Sequence, residues 1–363
     1  MKIVHVVGAR PNFMKVAPVV RAISEYPRHQ QILVHTGQHY DANMSDIFFE
    51  QLGIRKPDVS LEVGSGSHAS QTAQIMIRFE TVIMDEKPDW VLVYGDVNST
   101  VAAALVCSKL GIRIAHVEAG LRSFDRTMPE EINRMVTDRL ADLLFTPSKD
   151  GDDNLLREGV DAGRIRCVGN VMIDTLVRLE SIARDLWPSL RTSLGLDRYG
   201  LLTLHRPSNV DNDNMLRVIL ETLDRVSSRI PLLFPVHPRT RDRIRSYGLE
   251  NRMRRVRLLD PLGYIEFLAL QKNAAFVVTD SGGIQEETTF LGVPCLTLRK
   301  NTERPITIEM GTNVLVGQDM QVLQSEIERI LRGDTRKAST PPLWDGHASE
   351  RIAECLDQQT VRE

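Results

Sequence analysis

Short apolar, β-rich runs alternate with segments of helical spacing along the whole chain, and this alternation limits the fold more than any other feature. In the first half the runs cover 2–7, 31–36, 90–95, 113–118, 143–146 and 165–168. In the second half they cover 200–205, 231–236, 255–259, 275–279, 294–298 and 313–316. Segments between them, such as 12–25, 98–110, 212–228 and 319–332, carry apolar residues at the helical period. Strands alternating with helices predict parallel sheets with helices on both faces. About six strands per half suits one sheet each, and 363 residues are too many for one ordinary core. The expected fold class is therefore α/β, with two doubly wound Rossmann-like domains facing a cleft. A link is expected near 170–198, where Trp187-Pro188-Ser189 and Gly195-Leu196-Asp197 break the pattern. A last helix over 345–357 follows the Pro341-Pro342 break.

Composition narrows the function. The chain is 42% hydrophobic and 26% charged, with a formal net charge of −3. That balance offers no basic footprint for nucleic acid or for an anionic membrane. The N-terminal run Lys2-Ile3-Val4-His5-Val6-Val7 reads as a strand and lacks the regions of a signal peptide. No stretch is apolar enough to span a bilayer. Cys107, Cys167, Cys295 and Cys355 lie far apart with no Cys-x-x-Cys. That spacing suits buried thiols in a reducing cytoplasm better than disulfides or a zinc site.

The notable polar clusters fall at the C-terminal ends of predicted strands, where doubly wound sheets bind their ligands. After the apolar run 275–279 comes Asp280-Ser281-Gly282-Gly283, and a helical pattern starts at once. Ser281, Gly282 and Gly283 would offer backbone N–H groups at the positive end of that helix, a good phosphate seat. Glu287 lies one turn further on, near enough for a sugar hydroxyl. A tight turn that binds nothing is the plain alternative. At the first strand end, Gly8-Ala9-Arg10-Pro11 leads into a helix containing Lys15. Arg10 and Lys15 together would neutralise a diphosphate; Arg10 also reads as an ordinary surface charge.

Carboxylates gather at other ends. Asp96 follows Tyr94-Gly95, and either Asn98 or Ser99 would cap the next helix, leaving Asp96 for chemistry unless Asp96 is itself the cap. Glu118 ends the strand 113–118, where desolvation would raise a carboxyl pKa and suit it to proton transfer. Arg122 follows in the same loop. Pro129-Glu130-Glu131 is also a normal helix start, so one of the two glutamates is expected to be structural. His205 and His237 sit at two strand ends of the second half. A basic loop, Arg299 to Arg304, would either grip an anion or be plain surface. No metal-ligand spacing such as H-E-x-x-H occurs, so no catalytic metal is expected. Anion grips with carboxylates and histidines suit a nucleotide-linked sugar.

The segments GARPNFMKVAP, HTGQHYD, YGDVNST, HVEAGLRSFDRTMPEEINR, VGNVMID, TLHRPSNVDN, VHPRTR, TDSGGIQEE and NTERP occur in this order. Together they resemble the non-hydrolysing UDP-N-acetylglucosamine 2-epimerases from residue 2 to about 335. The resemblance implies a GT-B glycosyltransferase-like fold, a homodimer, and interconversion of UDP-GlcNAc and UDP-ManNAc for polysaccharide precursors. It divides the chain into 1–175 with the catalytic carboxylates, 176–344 for UDP, and a tail helix in 345–363 packing back on the first domain. It implies UDP elimination to a 2-acetamidoglucal and re-addition, with no redox cofactor. Carried over by position, the catalytic residues are Asp96, Glu118, Glu130 and His205. The UDP contacts are Arg10, Lys15, His237, Ser281, Gly282, Gly283 and Glu287, with Glu131, Arg122 and Arg304 as further candidates. Gln38-His39-Tyr40 resembles members that lack a second, activating substrate site. Rival readings are a 2-epimerase of a diacetamido uronic acid or 6-deoxy sugar, a GT-B glycosyltransferase, and a non-catalytic nucleotide-sugar binder.

Overall fold

The structure, a computed structural model, describes residues 1–37 and 51–360. Gln38, His39 and Tyr40 lie outside the described residues. The chain divides into two compact units, Met1–Thr175 with Pro342–Glu363, and Leu176–Pro341. Both are parallel α/β units of the Rossmann-like type.

The first unit holds β1 (Lys2–Val7), β2 (Gln30–His35), β3 (Val59–Ser60), β4 (Trp90–Tyr94), β5 (Arg113–Val117), β6 (Leu143–Thr146) and β7 (Ile165–Cys167). Their order in the sheet is β3-β2-β1-β4-β5-β6-β7, and every pairing is parallel. The central strand Trp90-Val91-Leu92-Val93-Tyr94 is buried along its whole length. Helices cover both faces, so both faces of that strand must be apolar. Ile75, Phe79 and Ile83 of the helix His68–Glu86 pack with Val4, Val91, Val93 and Leu144 in the core. β3 was not expected from sequence, because two residues are too few to carry a period.

The second unit holds β8 (Gly200–Thr203), β9 (Leu232–Pro235), β10 (Arg257–Leu259), β11 (Phe276–Thr279), β12 (Cys295–Thr297) and β13 (Asn313–Leu315). Their order is β10-β9-β8-β11-β12-β13, again all parallel. Leu216, Ile219, Leu220 and Leu223, on one stripe of the helix Asp213–Val226, pack with Leu202, Phe234 and Val278. Asn212 caps that helix by accepting a hydrogen bond from Met215 N at 3.0 Å.

One expectation fails at Pro188. The segment Val171–Leu194 is a single helix that runs through this proline. Proline removes one i→i−4 bond. Pro188 and Arg184, whose carbonyl loses its partner, are both exposed, so that carbonyl lies where solvent can reach it. The helix ends instead at Gly195, at φ +63.

The last helix, Ala348–Thr360, packs against the helix Arg10–Ser24 in the first unit. Its capping group comes from far away in sequence. The Asp174 carboxylate accepts from Ala348 N at 3.1 Å and from Ser349 N at 2.6 Å. Arg28 and His29 both bond to Asp357, and Trp344 Nε1 donates to Pro147 O at 2.9 Å. Asp174→Ala should therefore cost about 1–2 kcal/mol, the usual loss for a cap. It should also raise amide hydrogen exchange across 348–360; unchanged exchange there would mean the cap carries nothing.

Candidate functional site

In a parallel sheet all strands end on one edge, and β1, β4 and β5 are neighbours. Asn12, one turn into the first helix, links two of these ends. Its Oδ1 accepts from Gly8 N and Ala9 N, both at 3.1 Å, and its Nδ2 donates to Tyr94 O at 2.9 Å. Arg10 is the first residue of that helix, and its side chain lies outside the described part of the structure. Lys15 was expected to face a diphosphate. Instead its ammonium is buried and ion-paired with Glu118. Gly95 sits at φ +63, and a Cβ there would lie 2.8 Å from Lys15 Nζ and 3.0 Å from Glu118 Oε2. Only glycine leaves room for this pair.

Glu118 has φ +74, a left-handed conformation that costs a side-chain-bearing residue on the order of 1 kcal/mol or more. Its own N–H and that of Ala119 both donate to Phe145 O at 3.0 Å, which holds the turn. The surrounding turn and the buried ion pair together hold this backbone conformation in place. The lysine counter-ion of Glu118 is not visible in local sequence, because Lys15 lies 103 residues away.

Asp96 is no helix cap. The helix Asn98–Leu110 has Val97 at its cap with no side-chain bond, and Asn98 is spent on Gln71, His68 and Asn133. The Asp96 carboxylate is bound by Arg134, with Nε and Nη2 each 2.9 Å from Oδ2. Asp96 O accepts from Asn133 Nδ2 at 2.9 Å. Both partners belong to the helix Pro129–Leu140. The same helix separates the two glutamates. Glu131 is buried and accepts from Ser123 N, Ser123 Oγ and Phe124 N, each at 2.9 Å, and pairs with Arg134. Glu130 is half-buried and makes no hydrogen bond or ion pair among the described residues. Glu131 thus has a structural role, and Glu130 keeps its acceptor capacity. Arg122 is likewise internal, bound to Asp138 and Glu158.

In the second unit β8 and β11 are neighbours, and Asp280 at the end of β11 gathers the end of β8. Its buried carboxylate accepts from His205 N, Arg206 N and Asn209 Nδ2. It also lies 3.0 Å from His205 Nδ1. Burial pushes the Asp280 pKa up, but His205 and these donors outweigh it and hold the net value below the usual carboxylate range. A carboxylate on Nδ1 fixes the His205 ring and leaves Nε2 facing outward. Sequence reading overlooked Asp280 because Asp-Ser-Gly-Gly looks like turn chemistry. The His237 ring lies 6.0 Å from that of His205, and its Nδ1 caps the helix Pro238–Ser246 by accepting from Arg239 N.

Ser281 is the cap position of the helix Gly282–Leu291, without a side-chain bond to the first turn; its own N–H, expected to face a phosphate, donates instead to Thr279 Oγ1 at 3.0 Å. The first N–H groups of a helix have no partners within it, so they remain available to an anion. A Cβ on Gly282 would come within 2.5 Å of Arg304 Nη1. Arg304 is buried and pairs with Glu286 and Glu303, while Arg299 also pairs with Glu303. These ion pairs pack the turn from within.

Glu287 is buried in this helix and accepts from Tyr264 Oη at 2.9 Å. Burial raises its pKa from 4.5 to about 7. A raised acid favours the folded state below its unfolded pKa and loses that contribution as pH climbs through the folded value. Glu287 should therefore weaken the fold by up to about 3 kcal/mol between pH 4.5 and pH 8. Glu287→Gln should gain stability relative to wild type across that interval in denaturant melts. A variant-to-wild-type difference that stays flat with pH would contradict the assignment.

The family model described as UDP-N-acetylglucosamine 2-epimerase matches residues 21–357. A UDP-N-acetylglucosamine 2-epimerase of Methanococcus maripaludis is 42% identical over 359 residues, covering 97% of each chain. A UDP-2,3-diacetamido-2,3-dideoxy-D-glucuronate 2-epimerase of Pseudomonas aeruginosa is 45% identical over 364 residues, covering 98% of this chain and 99% of the relative. The crystal structure of Methanocaldococcus jannaschii UDP-GlcNAc 2-epimerase in complex with UDP-GlcNAc and UDP is similar with a TM-score of 0.92 at 42% identity. That match covers 99% of this chain and all of the other. The alternating parallel architecture, the polar strand ends and these matches over nearly the whole length agree: the chain belongs to the UDP-N-acetylglucosamine 2-epimerase family, enzymes of the isomerase type.

Proposed function

We propose that the protein is a non-hydrolysing 2-epimerase that interconverts UDP-GlcNAc and UDP-ManNAc. The observation that carries this reading is the Glu118 turn. A family member keeps a strained, buried carboxylate with its own lysine counter-ion beside Asp96, at the edge where parallel sheets act. A nucleotide-sugar binder has no need of such a group.

The reaction explains the residue types. The C2 proton is not acidic, because no carbonyl adjoins it. Its loss must be coupled to departure of UDP, with the C1–O electrons leaving on the diphosphate and a 2-acetamidoglucal remaining. Re-addition of UDP with protonation of the other face of C2 gives the epimer. Protons must be handled on both faces, so more than one carboxylate is required. We assign that work to Asp96, Glu118 and Glu130. Charge growing on the diphosphate needs preorganised donors. The Ser281 hydroxyl, the N–H groups of Gly282 and Gly283, His237 and Arg10 suit this, and His205, oriented by Asp280, suits a hydrogen bond to the departing oxygen. Glu287 suits a sugar hydroxyl. Lys15 serves Glu118 rather than the diphosphate.

The same reading makes the protein a cytoplasmic homodimer. In its support, the four cysteines are free, and no helix among the described residues is long and apolar enough to cross a membrane. Light scattering of the purified protein tests the dimer. A second substrate has one specific support, the Pseudomonas relative named for a diacetamido glucuronate.

Incubation with UDP-GlcNAc in D2O, followed by NMR, separates these readings. The proposal expects UDP-ManNAc carrying deuterium at C2, without acceptor or nicotinamide. Turnover of the diacetamido glucuronate alone would shift the substrate, and transfer to an added acceptor would point to a glycosyltransferase. Glu118→Gln and Glu130→Gln should each lower kcat by about 10²–10⁴-fold with UDP affinity nearly kept. Glu131→Gln should act on thermal stability first, since its network is buried.

A further inference from the structure

We infer that His116 and Asp138 are positioning residues for the epimerisation: they clamp the turn bearing Asp96 and the turn bearing Glu118 to one helix. The inference rests on the reading of those two carboxylates as proton carriers. It concerns two residues that touch neither of them.

His116 lies on β5 two residues before Glu118, and its ring is wholly buried. Nε2 is 2.8 Å from Gly95 O, the carbonyl immediately before Asp96. Nδ1 is 2.6 Å from Asp138 Oδ1. Asp138 belongs to the helix Pro129–Leu140, and its other oxygen accepts from Gly120 N at 3.2 Å and from Arg122 Nη1 at 2.6 Å. Gly120, at φ +80, closes the loop that Glu118 opens. One imidazole and one carboxylate therefore join the end of β4, the end of β5 and the helix that also supplies Arg134 to Asp96.

A carbonyl can only accept, so Nε2 carries a proton. Asp138 is pushed up by burial, yet His116 and Arg122 pull its net pKa below the usual carboxylate range, which makes it an acceptor as well. The ring thus ties a backbone carbonyl to a carboxylate through its two nitrogens. A residue that filled space alone would not need two directed bonds, and leucine would pack the core more cheaply. What the pair supplies is direction: it fixes the Gly95 peptide plane, and with it the exit vector of Asp96.

The test uses His116→Phe, His116→Gln and Asp138→Asn in the full-length protein, with UDP affinity measured to count folded molecules. A displacement of the carboxylates by about 1 Å should lower kcat by on the order of 10²-fold in His116→Phe and Asp138→Asn, with KM and the UDP dissociation constant moving less than about threefold. His116→Gln keeps a donor near the Nε2 position and should recover about tenfold of that loss. Wild-type kcat per UDP-binding molecule in either His116→Phe or Asp138→Asn would overturn the inference. So would a parallel fall of kcat, UDP affinity and melting temperature in all three variants. A wild type inactive on every UDP-2-acetamido sugar would sink the function reading instead. Amide hydrogen exchange across 95–98 then decides this one: it should rise in Asp138→Asn, and no change would refute the clamp.

Discussion

A buried carboxylate that accepts from neighbouring strand ends is the interaction on which both units depend. Asp138 does this in the first unit and Asp280 in the second. Parallel sheets need such a device. Their strands end together on one edge with unpaired peptide groups, and the loops that follow carry the chemistry. An ionised carboxylate is costly to bury unless every lone pair is used. Once the donors are supplied, the same cost penalises any movement of the loops. In each unit the carboxylate holds a histidine and a backbone N–H of an adjoining turn.

Three carboxylates of the first unit sit in different surroundings. Glu118 is buried against an ammonium, Asp96 is partly open and bound by a guanidinium, and Glu130 is half-buried without a cation among the described residues. Three acids of one chemical type thereby sit in three different surroundings. Glu131 and Arg122 show the complementary role. Their charges are consumed internally, and what they give is the shape of the loop from Gly120 to Pro129.

Much of this was legible in the chain because period and strand-end chemistry are local. The alternation of runs predicted parallel sheets, and the helices over 98–110, 213–226 and 320–331 fall where the pattern put them. What escaped was set by contacts between distant residues. The choice between Glu130 and Glu131 depends on Ser123, Phe124 and Arg134 folding round one of them. The Asp280–His205 contact exists because β8 and β11 are neighbours, a crossover across 75 residues. Lys15 and Arg304 looked like anion grips because sequence counts charges and cannot see their buried partners. At Pro188 the local breaker signal is overridden, and the helix Val171–Leu194 continues through it.

The shared ownership of the first unit has a consequence for biosynthesis. Its sheet comes from the first 175 residues, while the helix that Asp174 caps arrives only after the whole second unit has been made. Arg28 meets Asp357 across 329 residues. During translation the early segment must wait on the ribosome with one face of the helix Arg10–Ser24 uncovered, whereas the contiguous second unit can close as soon as it emerges. Domains usually mature in the order in which they are synthesised; here the first unit is complete only after the segment that follows the second has been made.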